Sequence, residues 1–409
     1  MARNVTAYNY SAQSFALANN SDNFNHPSAP PPNIMVFPPP PVDTIDWNNV
    51  GFKVREVNGH VSSTYSMSTG QWTKPQFVQD PFLRIHGMAP ALNYGQQCYE
   101  GLKALRNPDD KSIHIFRPDA NAKRMQHSAR YVAMPEVPEE LFLEAVHLAV
   151  AKNAEFVPPH ASGASMYIRP LLLGSSAQLG LNPPEEYTFL VYVLPVGVYH
   201  GVHTVDCLVL ENFDRAAPEG TGSAKVGGNY APVLIHSEAA RKEGYGITLH
   251  LDSKTRTCID EFSTSGFLAI KYGKTADEKT KLVVADSKSV IKSVTSNSVQ
   301  QIAKDMGWDV EVRSIAFEEC AEFDEVMAAG TAAALVPIKS ITRKSTDTKI
   351  QYKYGDENPE GVMTLLNTLK GIQAGRLEDK HGWRQHVAAP KPEDAADEPT
   401  NGVDAVNAL

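Results

Sequence analysis

Residues 220–232 read Gly-Thr-Gly-Ser-Ala-Lys-Val-Gly-Gly-Asn-Tyr-Ala-Pro, with Lys225 near the middle. Nearly every neighbour of this lysine is small. A lysine present only for solubility makes no demand on its neighbours. A lysine that bonds covalently to a flat organic group does, because bulky side chains would block the approach. The stretch is not a phosphate-binding P-loop, which needs glycine where Ala224 stands and serine or threonine where Val226 stands.

Working outward, the periodicity of the body is mixed. Residues 112–116, 187–194, 205–210, 246–251, 266–272 and 281–285 are short apolar runs and predict strands. Residues 139–156 place Leu141, Phe142, Ala145, Val146, Leu148 and Ala149 at helical spacing. Residues 230–242, 297–306 and 361–371 also predict helices. Strands and helices alternate irregularly, so the fold class is α/β of the mixed α+β kind, without the rhythm of a doubly wound sheet. Residues 1–42, ending in the proline clusters 30–32 and 38–41, predict a disordered arm. A smaller domain is expected over 43–196, a turn-rich connector over 197–206, a larger domain over 207–385, and a loose tail over 386–409. No internal repeat is visible.

The bulk properties exclude several classes. The chain has 409 residues, is 42% hydrophobic and 21% charged, and carries a net charge of −9. That balance disfavours nucleic acid as a partner, since phosphate binding wants a basic surface. No apolar run approaches the roughly 18–20 residues that span a bilayer. The four cysteines, Cys98, Cys207, Cys258 and Cys320, are far apart and form no Cys-x-x-Cys pair, so neither a disulfide framework nor a zinc site is expected. No metal is expected. The N-terminus lacks the apolar core of a secretory signal and the arginines of a transit peptide, which makes the cytoplasm the expected location.

A lysine that forms a Schiff base with pyridoxal 5′-phosphate (PLP) needs help of four kinds. A cation and backbone N–H groups hold the phosphate. A carboxylate keeps the pyridine nitrogen protonated, so that the ring accepts electrons. A hydroxyl meets the ring phenolate, and further donors hold the substrate carboxylate. Glu261, between two strand-like runs, is a candidate for the carboxylate. Val294 and Thr295 precede a predicted helix and suit a phosphate. Gly330-Thr-Ala332 is a small-residue turn with free N–H groups. Each has an ordinary alternative: a solvated loop lysine at 225, an exposed loop acid at 261, and a plain helix start at 295.

Several segments resemble the branched-chain amino acid aminotransferases. They are Asn93-Tyr-Gly-Gln-Gln-Cys-Tyr-Glu-Gly-Leu-Lys-Ala104, Phe116-Arg-Pro-Asp-Ala-Asn-Ala-Lys-Arg-Met125, Tyr167-Ile-Arg-Pro170, Arg215-Ala-Ala-Pro218, Lys225-Val-Gly-Gly-Asn-Tyr230 and Gly330-Thr-Ala-Ala333. They follow the family order across about residues 45–385, and both tails fall outside. The resemblance implies the two-domain, D-amino-acid-aminotransferase-like PLP fold of type IV, with the cofactor between the domains. It implies that Lys225 is the Schiff-base lysine and proton shuttle. Tyr230 would contact the ring phenolate, and Glu261 the pyridine nitrogen. Arg124, Val294, Thr295 and Thr331 would hold the phosphate. Tyr167 and the N–H groups of Thr331 and Ala332 would hold the substrate carboxylate, with Arg169 orienting Tyr167. Tyr94, Tyr99 and Tyr199 would line the side-chain pocket.

Two places depart from the family. The phosphate turn, Leu-Pro-Gly-(Val/Ile)-Thr-Arg in many relatives, reads Ile291-Lys-Ser-Val-Thr-Ser296 here. Ala333 and Val336 stand where some animal members carry a redox Cys-x-x-Cys. The resemblance implies a homodimer that performs ping-pong transamination of leucine, isoleucine and valine with 2-oxoglutarate. The proline-rich arm and altered turn resemble fungal-type members, which leaves open an unusual amino acid made for a nonribosomal peptide pathway. A non-catalytic binding protein on the same fold is the rival of another class.

Overall fold

The structure, a computed structural model, describes residues 36–197, 203–275 and 277–391. By contacts the chain divides after Val36, and Phe37–Leu409 form one unit. Within that unit lie two nine-stranded sheets.

The first sheet is antiparallel throughout. Its main path runs Arg384–His386, Ile113–Phe116, Leu102–Arg106, Ser165–Gly174, Glu186–Val196, His60–Ser66 and Gln71–Trp72. The strand Ser165–Gly174 shows the period-2 logic that places the site. Met166 and Ile168 are fully buried, which turns Tyr167 and Arg169 to the opposite face. Helices Pro118–Tyr131 and Glu139–Ala151 cover the buried face. Met125, Phe142, Ala145 and Val146 pack there against Ile113, Ile168 and Phe189. Removing a side chain such as Phe142 would cost about 3–5 kcal/mol.

The second sheet is mixed. Val205–Leu210 pairs in parallel with both Ile247–Leu251 and Ala334–Arg343, and Lys281–Ala285 pairs in parallel with Asp309–Arg313. Ile259–Phe262 lies at one edge beside Ile247–Leu251. Helices Val294–Asp305 and Glu360–Gln373 bury Val299, Ile302, Leu365 and Leu369 on this sheet.

The body extends beyond the boundaries read from the sequence. Val42 N–H donates to the Glu155 carbonyl, Arg106 Nη2 donates to the Pro39 carbonyl, and Phe37 packs on the first core. At the other end Arg384–His386 adds a strand to the first sheet and Val387 is fully buried. The polar composition of Arg-Gln-His concealed that edge strand. The strands Glu186–Val196 of the first sheet and Val205–Leu210 of the second flank the connector expected over 197–206. Residues 198–202, including Tyr199, lie outside the described residues.

The helix expected over 139–156 stops at Ala151 and resumes as a single 3-10 turn at Ala154–Phe156. The helix expected from 297 starts at Val294, because Ser293 Oγ caps it by accepting the Ser296 N–H at 3.1 Å. The helix expected over 230–242 is a 3-10 turn, Ala231–Val233, followed by Leu234–Lys242. Among the described residues, no helix is long and apolar enough to cross a membrane, and no cluster of His, Cys, Asp and Glu could hold a metal.

Candidate active site

The Lys225 loop belongs by sequence to the second half of the chain but is fastened to the first sheet and its helix. Lys225 N–H donates to Ser128 Oγ at 2.9 Å, and Tyr99 N–H donates to the Lys225 carbonyl at 3.1 Å. Cys98 and Val226 form an isolated bridge. Asn229 closes the loop from inside, donating to the carbonyls of Thr221 and Ala224 at 2.7 and 2.9 Å. The small residues serve this close packing. Ala224 is fully buried, and a Cβ on Gly227 would lie 2.2 Å from Gln97 Nε2. The small company of Lys225 therefore reports loop packing as well as access to its amine.

That amine enters a cavity also lined by Arg124, Arg215, Tyr230, Glu261, Gly330 and Thr331. Lys225 Nζ donates to Tyr230 Oη at 3.0 Å. It also lies 4.5 Å from the Tyr99 ring centre and 4.9 Å from that of Tyr230. The two rings meet edge to face at 5.3 Å. Burial and the neighbouring Tyr230 push the Tyr99 phenol well above its ordinary range, so it stays neutral.

Glu261 is a buried acid on the edge strand Ile259–Phe262, not an exposed loop residue. It pairs with Arg215, which is buried as well and also donates to the carbonyls of Gly222 at 3.1 Å and Ser289 at 2.6 Å. Burial pushes the Glu261 carboxyl up to about 7, and Arg215 only partly opposes this.

Arg124 projects from helix Pro118–Tyr131. It makes a two-pronged bond to the fully buried Glu100, Nε to Oε1 and Nη2 to Oε2, both at 2.7 Å. Burial works against its charge, but Glu100 outweighs this and holds the guanidinium above its ordinary range. Its Nη1 donates to the Lys292 carbonyl at 3.1 Å, which brings it beside the start of helix Val294–Asp305. Val294 and Thr295 open that helix and share a small cavity with Thr331. Thr331 Oγ1 reaches the Gly101 carbonyl at 3.4 Å.

Tyr167, Arg169 and Ala332 line a second cavity of about 540 Å³, walled by Phe52, Val54, Val57, Pro81 and Val193. Arg169 Nη2 donates to Tyr167 Oη at 3.0 Å and lies 4.8 Å from the Tyr99 ring. Tyr99 thus stands between Lys225 and Arg169. Tyr94 is not among the residues lining these cavities. It is half exposed and donates to the Leu179 carbonyl at 2.6 Å.

Sequence reading assigned no role to Glu100, Ser128 or Arg215. Glu100 and Arg215 do lie inside the quoted motifs. Glu100 is the one charged residue in the run 93–102, and a lone acid in such a run demands a cation if it is buried; that signal could have flagged Glu100, though not Arg124 as its partner.

An amine beside a phenol, a buried carboxyl held near neutrality, and a paired guanidinium at a helix start form the donor set of a PLP-dependent enzyme. The residues present fit that group. The chain belongs to the class IV aminotransferases: the family described as amino-transferase class IV matches residues 97–341. It is an aminotransferase with PLP as its cofactor.

Among its relatives, "Transaminase htyB" of Aspergillus rugulosus is 53% identical over 366 residues, covering 87% of this chain and 96% of that protein. "Branched-chain amino acid aminotransferase gloG" of Glarea lozoyensis is 49% identical over 358 residues, covering 87% and 99%. The solved branched-chain amino acid aminotransferase of Escherichia coli has a TM-score of 0.66 at 25% identity. It covers 81% of this chain and 100% of that one.

Proposed function

We propose that this aminotransferase moves the amino group of amino acids with apolar side chains, with leucine, isoleucine and valine leading and 2-oxoglutarate as acceptor. The observation that carries this reading is the largely apolar second cavity, in whose wall Arg55 and Glu56 also stand. It opens beside Tyr167, Arg169 and Ala332 and adjoins the Lys225 cavity through Tyr99. The relative named a branched-chain aminotransferase supports the same substrates.

When bound, PLP supplies an electron sink for the pair released as the substrate α C–H bond breaks. Lys225 Nζ carries the proton to and from the substrate α-carbon. Tyr230 Oη accepts the hydrogen bond that orients this amine. Glu261, backed by Arg215, would pair with the pyridine nitrogen and favour its protonated form. Arg124, Val294, Thr295 and Thr331 hold the phosphate, the helix start adding its N–H groups. Tyr167 Oη, oriented by Arg169, and the N–H groups at 331–332 hold the substrate carboxylate, while Tyr99 closes the side-chain pocket. Exposed Phe82, Leu92, Leu179 and Leu181 support burial of this surface in a homodimer.

A second reading keeps the chemistry and changes the substrate to a longer or unusual amino acid of a fungal secondary-metabolite pathway. It is favoured by the size of the second cavity, about 540 Å³, far more than an isobutyl group fills. A substrate panel on PLP-loaded protein tests both. The first reading expects leucine to give the highest kcat/KM, and the second expects a longer 2-amino acid to exceed it. Failure of every apolar amino acid would overturn both.

A further inference from the structure

Lys103 is absent from the machinery above, yet the structure places it on the substrate side. In the strand Leu102–Arg106, Leu102, Ala104 and Arg106 are buried and Lys103 points to the other face. Its antiparallel partner across the ladder is Tyr167, so the two side chains share that face. From there Lys103 Nζ crosses to the second sheet and donates to the Ala332 carbonyl at 2.9 Å. One residue pair away, Thr331 Oγ1 donates to the Gly101 carbonyl. Residues 101–103 of the first sheet thus grip the turn at 331–332 from both sides.

The turn needs such a grip. It connects Gly330 to Ala334, which are ladder partners, and Ala334 sits at φ +61°. A non-glycine residue in that region is strained by about 1 kcal/mol or more, and it persists only where its surroundings over-determine it. The Lys103 ammonium also has an unmet electrostatic need. Burial, with Lys370 of helix Glu360–Gln373 as a second cation, pushes it down to about 8. The turn itself carries no charge, Tyr167 faces the lysine from the adjacent strand, and among the described residues Lys103 makes no ion pair.

We infer that Lys103 is a positioning residue for the substrate carboxylate. By holding the Ala332 carbonyl it aims the N–H groups of the 331–332 turn and puts a positive charge behind them. This rests on the reading above, in which that turn and Tyr167 hold the carboxylate. It extends to every substrate of the enzyme, because each amino acid and each 2-oxo acid presents the same carboxylate there.

The test uses holoenzyme carrying the amine form of the cofactor and follows recovery of the visible band on adding 4-methyl-2-oxopentanoate. This 2-oxo acid has no ammonium, so it does not itself titrate between pH 7 and 10, and comparison with Lys103→Arg separates Lys103 from Lys225 and from the cofactor's own amine and ring nitrogen. Lys103→Met is expected to weaken its binding at pH 7 by roughly ten- to a hundred-fold, the worth of a hydrogen bond to a charged group. The limiting rate and the cofactor content should stay unchanged, and Lys103→Arg should restore binding. Wild-type binding should weaken as pH rises through about 8, where the lysine loses its charge, while Lys103→Arg keeps its affinity over the same range. Unaltered binding in Lys103→Met, or the same pH dependence in Lys103→Arg, would overturn the inference alone. Loss of cofactor together with binding would also overturn it, in favour of a purely structural role. Wild-type protein that accepts no 2-oxo acid would overturn the proposed function and this inference with it.

Discussion

Glu261→Gln separates what this carboxylate does for the chemistry from what it does to the fold. The side chain keeps its shape and loses its charge. In the cofactor-free protein burial dominates, since the carboxyl sits at about 7 despite Arg215. The folded value is raised above the unfolded one, about 4.3. The stability contributed by its proton is therefore fully present below about pH 4 and is lost as pH rises through about 7. Each tenfold in proton affinity is worth about 1.4 kcal/mol, so the loss at pH 8 is at most about 3–4 kcal/mol. Glutamine never carries that charge, and Arg215 retains the carbonyls of Gly222 and Ser289. Cofactor-free Glu261→Gln should therefore melt at or above the wild-type temperature at pH 8, by up to roughly 8 °C at about 2 °C per kcal/mol. At pH 4 the two should converge. With PLP bound, the half-reaction with leucine should slow by roughly 10²–10³-fold, the usual effect of removing one preorganised electrostatic group. The assays are calorimetry on both forms and stopped-flow absorbance. A half-reaction at the wild-type rate would refute the role of Glu261. Melting several degrees lower at pH 8 would refute the reasoning that burial outweighs the Arg215 pair.

Two further substitutions test separate parts of the site. Arg124→Gln strands the fully buried Glu100; it should cost about 3–5 kcal/mol in denaturant unfolding and lower the retention of PLP on gel filtration. Gly101→Ala would put a Cβ 2.2 Å from Tyr167 Oη and 2.9 Å from its Cζ; KM should rise at least about tenfold while the colour of the bound cofactor persists.

The sequence carried the parts of the fold that depend on local pattern. The apolar runs at 205–210 and 281–285 are strands with those ends, because a doubly buried strand needs no partner to look like one. Helix Pro118–Tyr131, which carries Arg124, escaped periodicity. It is mostly polar, and Pro118, Ala122, Met125 and Ala129 are its only buried apolar residues. The site pairs were illegible for a different reason. Glu100 and Arg124 lie 24 residues apart, and Lys103 and Ala332 lie 229 apart. No local spacing encodes such contacts: the first forms only when helix Pro118–Tyr131 packs on its own sheet, and the second only when the two sheets dock. Tyr230 entered only through the family resemblance; in the structure the turn Gly227–Asn229 brings it back beside Lys225 within five residues. The small residues around Lys225 were readable as a pattern, yet half their reason, the packing of Gly227 on Gln97, belongs to the fold rather than the cofactor.

The central claim is that Lys225 is the residue that holds the cofactor covalently. Borohydride reduction of the PLP-loaded protein, followed by proteolysis and peptide mass spectrometry, tests it most directly. The account predicts one phosphopyridoxyl adduct, on Lys225, and loss of both adduct and visible band in Lys225→Ala. An adduct on another lysine, or a Lys225→Ala protein that keeps its colour, would contradict it.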